Sequence, residues 1–139
     1  MSHRAKPLVL SASTITSLPI TTVSDSRGQF SYTSLFSAPD THTKDVTAGI
    51  AFLPPNTGKL CEHHHPQTEI YHILSGKGIV VINGNETEVE GGSAVFIPGG
   101  ATHGIRNVSG EELRWLYVFP TDGFGEIEYT YLDKVEEGK

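Results

Sequence analysis

From Val46 to Leu132 the chain is a succession of short apolar runs, and none of them sustains a helical period past two turns. Stretches such as "AGIAFLPPNTG", "EIYHILSGKG", "SAVFIPGG" and "LRWLYVFP" each end at glycine, proline or asparagine. Short segments rich in β-branched and aromatic residues, bounded by turn formers, read as strands. The Asn83-Gly84 pair inside "VINGNE" is a strong hairpin signal, because both residues tolerate the positive φ of a primed turn. Many short strands without intervening helices exclude a doubly wound fold and leave a sandwich, a jelly roll or a barrel. The expected fold class is therefore all-β.

The earlier sequence differs in character. Residues 1–45 are rich in serine and threonine, with Phe30, Tyr32 and Phe36 marking one or two strands, and read as an N-terminal arm with edge strands. Residues 46–132 form the barrel, and the charged 133–139, "DKVEEGK", read as a frayed tail. A chain of 139 residues fits one domain and buries roughly two-thirds of its unfolded surface, so folding as such requires no metal or disulfide. The single cysteine, Cys61, rules out an internal disulfide. A net charge of −6 argues against nucleic acid or an anionic membrane as the main partner. The apolar runs are too short to span a bilayer, and "MSHRAKPLVLSAS" lacks the long apolar core of a secretory signal. A cytoplasmic protein is expected.

Within this frame "CEHHHPQTEIYHILSG", residues 61–76, is out of place. Side chains alternate across a strand, so Cys61, His63 and His65 share one face, with Glu62 and His64 opposite. After a turn at "PQT", Glu69, Tyr71 and Ile73 share a face of the next strand. Two imidazoles and a carboxylate on one inward face would each cost free energy if buried unpaired, and a divalent metal is the partner that satisfies all of them. In "GGSAVFIPGGATHGIRN", Pro98 stops a strand, Gly99 and Gly100 turn it, and His103 starts the next. His103 completes a candidate set of three histidines and one carboxylate that leaves positions open on an octahedral ion, the mark of a reactive site. His64 and His72 fall on the outer face and read as structural. Cys61 falls on the inner face by the same parity and reads as a small buried cysteine.

These residues resemble the cupin family. His63, His65, Glu69 and Gly76 fill the first cupin motif, and Gly92, Pro98, Gly100, His103 and Asn107 fill the second. One departure is that four residues, rather than the motif's five, separate Gly58 from His63. The resemblance implies a small cupin jelly-roll barrel with one divalent transition metal: iron, manganese, nickel, zinc or cobalt. It also implies a homodimer, paired through sheet edges and the arm between residues 8 and 36.

Tyr71, two residues from Glu69, points at the same centre, and a nearby cation lowers a phenol from its usual value of about 10. That suits proton abstraction beside a metal-bound carboxylate, followed by loss of a β-substituent. The arrangement of His63, His65, Glu69, Tyr71 and His103, with Tyr129 in "DGFGEIEY", is similar to the cupin-type lyases of dimethylsulfoniopropionate. The resemblance implies Tyr71 as the base, Tyr129 as an assisting group and a small carboxylate substrate cleaved to dimethyl sulfide and acrylate. A sulfonium cation would also suit aromatic walls. The ligand set alone leaves a metal-dependent dioxygenase, an isomerase or dehydratase of a small acid, and a non-enzymatic binding module open.

Overall fold

The structure, a computed structural model, describes residues 4–132; the tail expected over 133–139 lies outside them. Among the described residues eleven strands form one curled sheet. In chain order they are β1 Thr21–Asp25, β2 Gly28–Phe36, β3 Thr47–Leu53, β4 Lys59–His64, β5 Glu69–Ser75, β6 Lys77–Ile82, β7 Asn85–Glu90, β8 Ala94–Ile97, β9 His103–Arg106, β10 Leu113–Phe119 and β11 Thr130–Tyr131. The only α-helical turn among the described residues is Ala12–Thr16, capped by the Ser11 side chain accepting from Thr14 N–H. The all-β expectation holds. Among the described residues no helix is long and apolar enough to cross a membrane.

The sheet runs β7-β6-β9-β4-β2-β3-β10-β5-β8, with β1 added to β2 and β11 added to β4. β2 makes the corner. Its first residues, Gly28 and Gln29, pair with β4, and Ser31 onward pairs with β3. Of the segment read as an arm, β1 is thus an edge strand while β2 lies inside the sheet. The two halves close on one apolar cluster, with Val80 and Ile105 from one half and Ile73, Leu113 and Trp115 from the other. The alternation that buries it is plain in β10, where Leu113, Trp115, Tyr117 and Phe119 face inward and the residues between them do not.

Asn83 and Gly84 both have positive φ, 49° and 83°, and join β6 to β7 as the primed turn the sequence foretold. Asn107, a motif residue, is buried and binds no ligand position. Its amide donates to the carbonyls of Leu53, Pro54 and Glu111, and its oxygen accepts from Ser109, which ties the loops at the closed end of the barrel.

Candidate metal centre

The predicted ligands sit at strand ends. His63 is the last residue but one of β4, His65 follows the strand, Glu69 opens β5 and His103 opens β9. His63 and His103 are direct cross-strand partners. The turn before β9 is docked on the turn after β4: Gly100 N–H donates to His65 O at 2.8 Å. A Cβ at Gly99 would collide with the Pro66 carbonyl, so only glycine permits this approach. The two motif loops are therefore one physical unit, which explains why residues 34 apart in sequence, Glu69 and His103, meet.

All four side chains are buried, His63 completely. Each imidazole is oriented by a main-chain carbonyl: Nδ1 of His63 on Cys61 O at 2.8 Å, of His65 on Gln67 O at 3.0 Å and of His103 on Ala101 O at 2.9 Å. A carbonyl only accepts, so each Nδ1 carries the proton and each Nε2 presents its lone pair. The three imidazoles offer ligand nitrogens within 4.8 Å of one another. Glu69 Oε1 lies 3.2 Å from Nε2 of both His65 and His103. Nε2 of His63 and of His65 is buried with no hydrogen-bond partner. Acceptors gathered in a dry site with no donor among them need a cation, and a metal-binding histidine usually donates its other ring N–H to a carbonyl, which fixes the tautomer and aims the free nitrogen. The donor set fits a divalent transition metal. Burial, with His103 next in size and the Cys61 bond opposing, pushes the His63 imidazolium down to about 3, so the ring stays neutral and available.

A cavity of about 390 Å³ adjoins the centre through Glu69, Tyr71 and Tyr129. Glu69, Tyr71, Trp115 and Tyr117 form its inner wall, and Arg27 is its one cationic side chain. Tyr71 is buried, 5.3 Å from Trp115 and 6.4 Å from His103 between ring centroids. Burial, and then the Glu69 carboxylate, hold its phenol well above 10. Tyr129 is stacked on His63, with centroids 4.4 Å apart and planes at 12°. Burial, again followed by Glu69, pushes its phenol up as well. Both tyrosines singled out from sequence thus stand at the centre. His72 is exposed and His64 half-buried, each on the side away from it.

Cys61 is the small buried cysteine expected, outside the cavity lining. The β4–β9 register slips by one residue between Leu60↔Ile105 and His63↔His103, and Leu60 lines the cavity in its stead. Cys61 is buried, and its carbonyl holds His63. Cavity residues that the motifs did not reveal come from both ends of the chain: Phe30 and Tyr32 on β2, and Phe124 and Ile127 after β10. The equal spacing of Phe30 and Tyr32 on one strand face was the only signal for either pair.

The family described as Cupin domain matches residues 49–119, from β3 through β10. A dimethylsulfoniopropionate lyase, DddW, from Ruegeria pomeroyi is 37% identical over 105 residues, 75% of this chain and 67% of that protein. An oxalate-binding protein from Thermotoga maritima is 29% identical over 111 residues, 80% of this chain and 92% of its own length. Among solved structures, a predicted oxalate decarboxylase from the same organism superposes with a TM-score of 0.69 at 26% identity, covering 82% of this chain and 99% of that one.

Proposed function

The chain belongs to the cupin domain family, as a small jelly-roll cupin near the dimethylsulfoniopropionate lyases, and we propose that it is a metal-dependent carbon–sulfur lyase with Tyr71 as its base. The substrate is a small carboxylate with a leaving group at the β-carbon, and dimethylsulfoniopropionate is the best candidate. The observation that carries the reading is the placement of Tyr71, a buried phenol on the same strand face as the Glu69 carboxylate and on the wall of the cavity.

A divalent transition metal held by His63, His65, Glu69 and His103 would supply positive charge that lowers the Tyr71 phenol and neutralises charge developing on the substrate carboxylate. The Tyr71 oxygen takes the proton from the α-carbon. The electrons of that C–H bond become the new double bond, and the C–S pair leaves with sulfur. Acrylate and dimethyl sulfide result, and the proton resides on Tyr71 until solvent removes it. Tyr129, stacked on His63 at the same wall, is placed to hold the substrate against Tyr71. Trp115 and Tyr117 offer ring faces to a sulfonium at about 0.5–2 kcal/mol per contact. They also exclude water from the reacting carbon.

The test is headspace dimethyl sulfide from metal-loaded protein, with wild type and Tyr71→Phe side by side. Removing a general base costs about 10²–10⁴-fold in rate, and Tyr71→Phe is expected to do so at unchanged metal content. Full activity in Tyr71→Phe would exclude it as the base. The oxalate-binding relative favours one second reading: a module that holds a small dicarboxylate at the same centre. Calorimetric binding of oxalate with no headspace product would support it.

A further inference from the structure

The segment after β10 crosses the mouth of the cavity, and its two ends are fastened differently. Its root is bonded to the barrel. Thr47 Oγ1 donates to Thr121 O, Ala38 N–H donates to Asp122 O, Asp45 N–H donates to the Asp122 carboxylate, and Phe124 N–H donates to Ser37 Oγ, all at 2.8–2.9 Å. The 3-10 turn Phe124–Glu126 then bonds within itself, through Ile127 N–H to Phe124 O. The far end returns to β4 over two residues only, Thr130 opposite His64 and Tyr131 opposite His63, with Leu132 N–H on Glu62 O at 3.2 Å.

Tyr131 also holds that far end through its ring. It is half-buried, 5.3 Å from His63 and 6.0 Å from Tyr129 between centroids, and Tyr129 lies flat on His63 and 5.3 Å from His65. The strap, the segment from Phe124 to Leu132, is what stands over the completely buried His63 on the cavity side. Lifting Thr130 and Tyr131 from β4 would carry Tyr129 away with them, because one residue separates the two tyrosines. The root bonds would remain.

We propose that Tyr131 is a positioning residue, the latch that keeps this strap closed, seats Tyr129 on His63 and controls how fast small molecules reach the three imidazoles. The proposal rests on the reading of His63, His65 and His103 as the reactive centre. Its mechanical content concerns the rings alone. Aromatic contacts of this kind carry enough free energy to shift an opening equilibrium by about tenfold when two are lost. A tyrosine that merely filled space at the rim would leave access to His63 unchanged.

The experiment uses the metal-free full chain and diethyl pyrocarbonate, with modification of each histidine followed by peptide mass spectrometry. His63 in wild type and in Tyr131→Phe is expected to react slowly relative to the exposed His72. In Tyr131→Ala the His63 rate rises about tenfold while that of His72 stays constant, the tenfold being the two lost ring contacts. An unchanged His63 rate in Tyr131→Ala would overturn the proposal. So would a parallel rise at His72, which reports general loosening, or a Tyr131→Phe variant as reactive as Tyr131→Ala. Metal uptake by the same three proteins is measured separately. If none binds an ion, the metal reading fails, and the histidine rates still decide the latch.

Discussion

The barrel has a ligand end and a mouth, and they are held in place by different interactions. At the ligand end each imidazole is fixed by a main-chain carbonyl, and turn is bonded to turn through Gly100 and His65. At the mouth the contacts are rings on rings: Tyr32 against Phe124 at 5.5 Å, Tyr117 against Phe124 at 5.8 Å, Tyr129 on His63. Main-chain bonds have narrow geometry and fix an atom's position. Ring contacts accept a range of angles, and those here span 12° to 70°. A site built this way holds its ligand atoms rigidly and leaves the shape of the cavity adjustable.

The comparison breaks most sharply at a single ligand. His103→Ala removes one of the three imidazoles, the one whose Nε2 lies 3.2 Å from Glu69 Oε1. Disturbing a metal's outer shell already costs 10–100-fold in affinity. Loss of an inner ligand is expected to exceed that and bring metal content to background after dialysis, as read by elemental analysis. Substitutions among the mouth aromatics should keep one ion per chain. One ion per chain retained in His103→Ala would mean that the ligand end is not what its geometry indicates.

A second test uses protons and gives a smaller effect. In the metal-free protein the His63 imidazolium is pushed down to about 3 from its ordinary value of 6.5, by burial first and His103 next. The unfolded chain therefore binds one more proton than the folded chain between those values. Stability rises with pH across this window, is fully present above pH 6.5 and falls by about 1.4 kcal/mol for each unit below it. Thermal unfolding of wild type against His63→Gln isolates that proton, and the variant's profile should be flatter by this slope from pH 6 to pH 4. Equal slopes would place His63 in water rather than in a dry site.

The same contrast decides what was legible in the sequence. His63, His65, Glu69 and His103 are spaced by backbone geometry, so their spacing appears in the sequence as two motifs, as does the need for glycine at positions 99 and 100. Phe124 and Ile127 reach the cavity from outside any strand, and no periodicity marks them. "EIEYTYL" reads as a strand by composition, yet only Thr130–Tyr131 pairs. That Leu60 lines the cavity was hidden, because a one-residue register slip is invisible until the partner strand is known. The corner in β2 was hidden for a related reason. Its aromatic alternation shows a strand, but which neighbours it joins depends on contacts distant in sequence.

The smallest expected effect lies on the adjustable side. Gly49 on β3 is the direct partner of Tyr117 on β10, and the phenol lies across it. A Cβ there would meet the Tyr117 hydroxyl and sit 2.7 Å from Thr33 O, so Gly49→Ala must push the ring toward the cavity. Overpacking of this kind costs about 1–3 kcal/mol, measurable as a lower midpoint in urea, with metal stoichiometry unchanged. Tyr117→Leu removes the obstructing ring, so the double variant Gly49→Ala/Tyr117→Leu should be more stable than the sum of the two single changes requires. Contacting residues couple by about 0.5–3 kcal/mol. Strict additivity would show that the ring does not depend on Gly49, and that the mouth is as rigidly built as the ligand end.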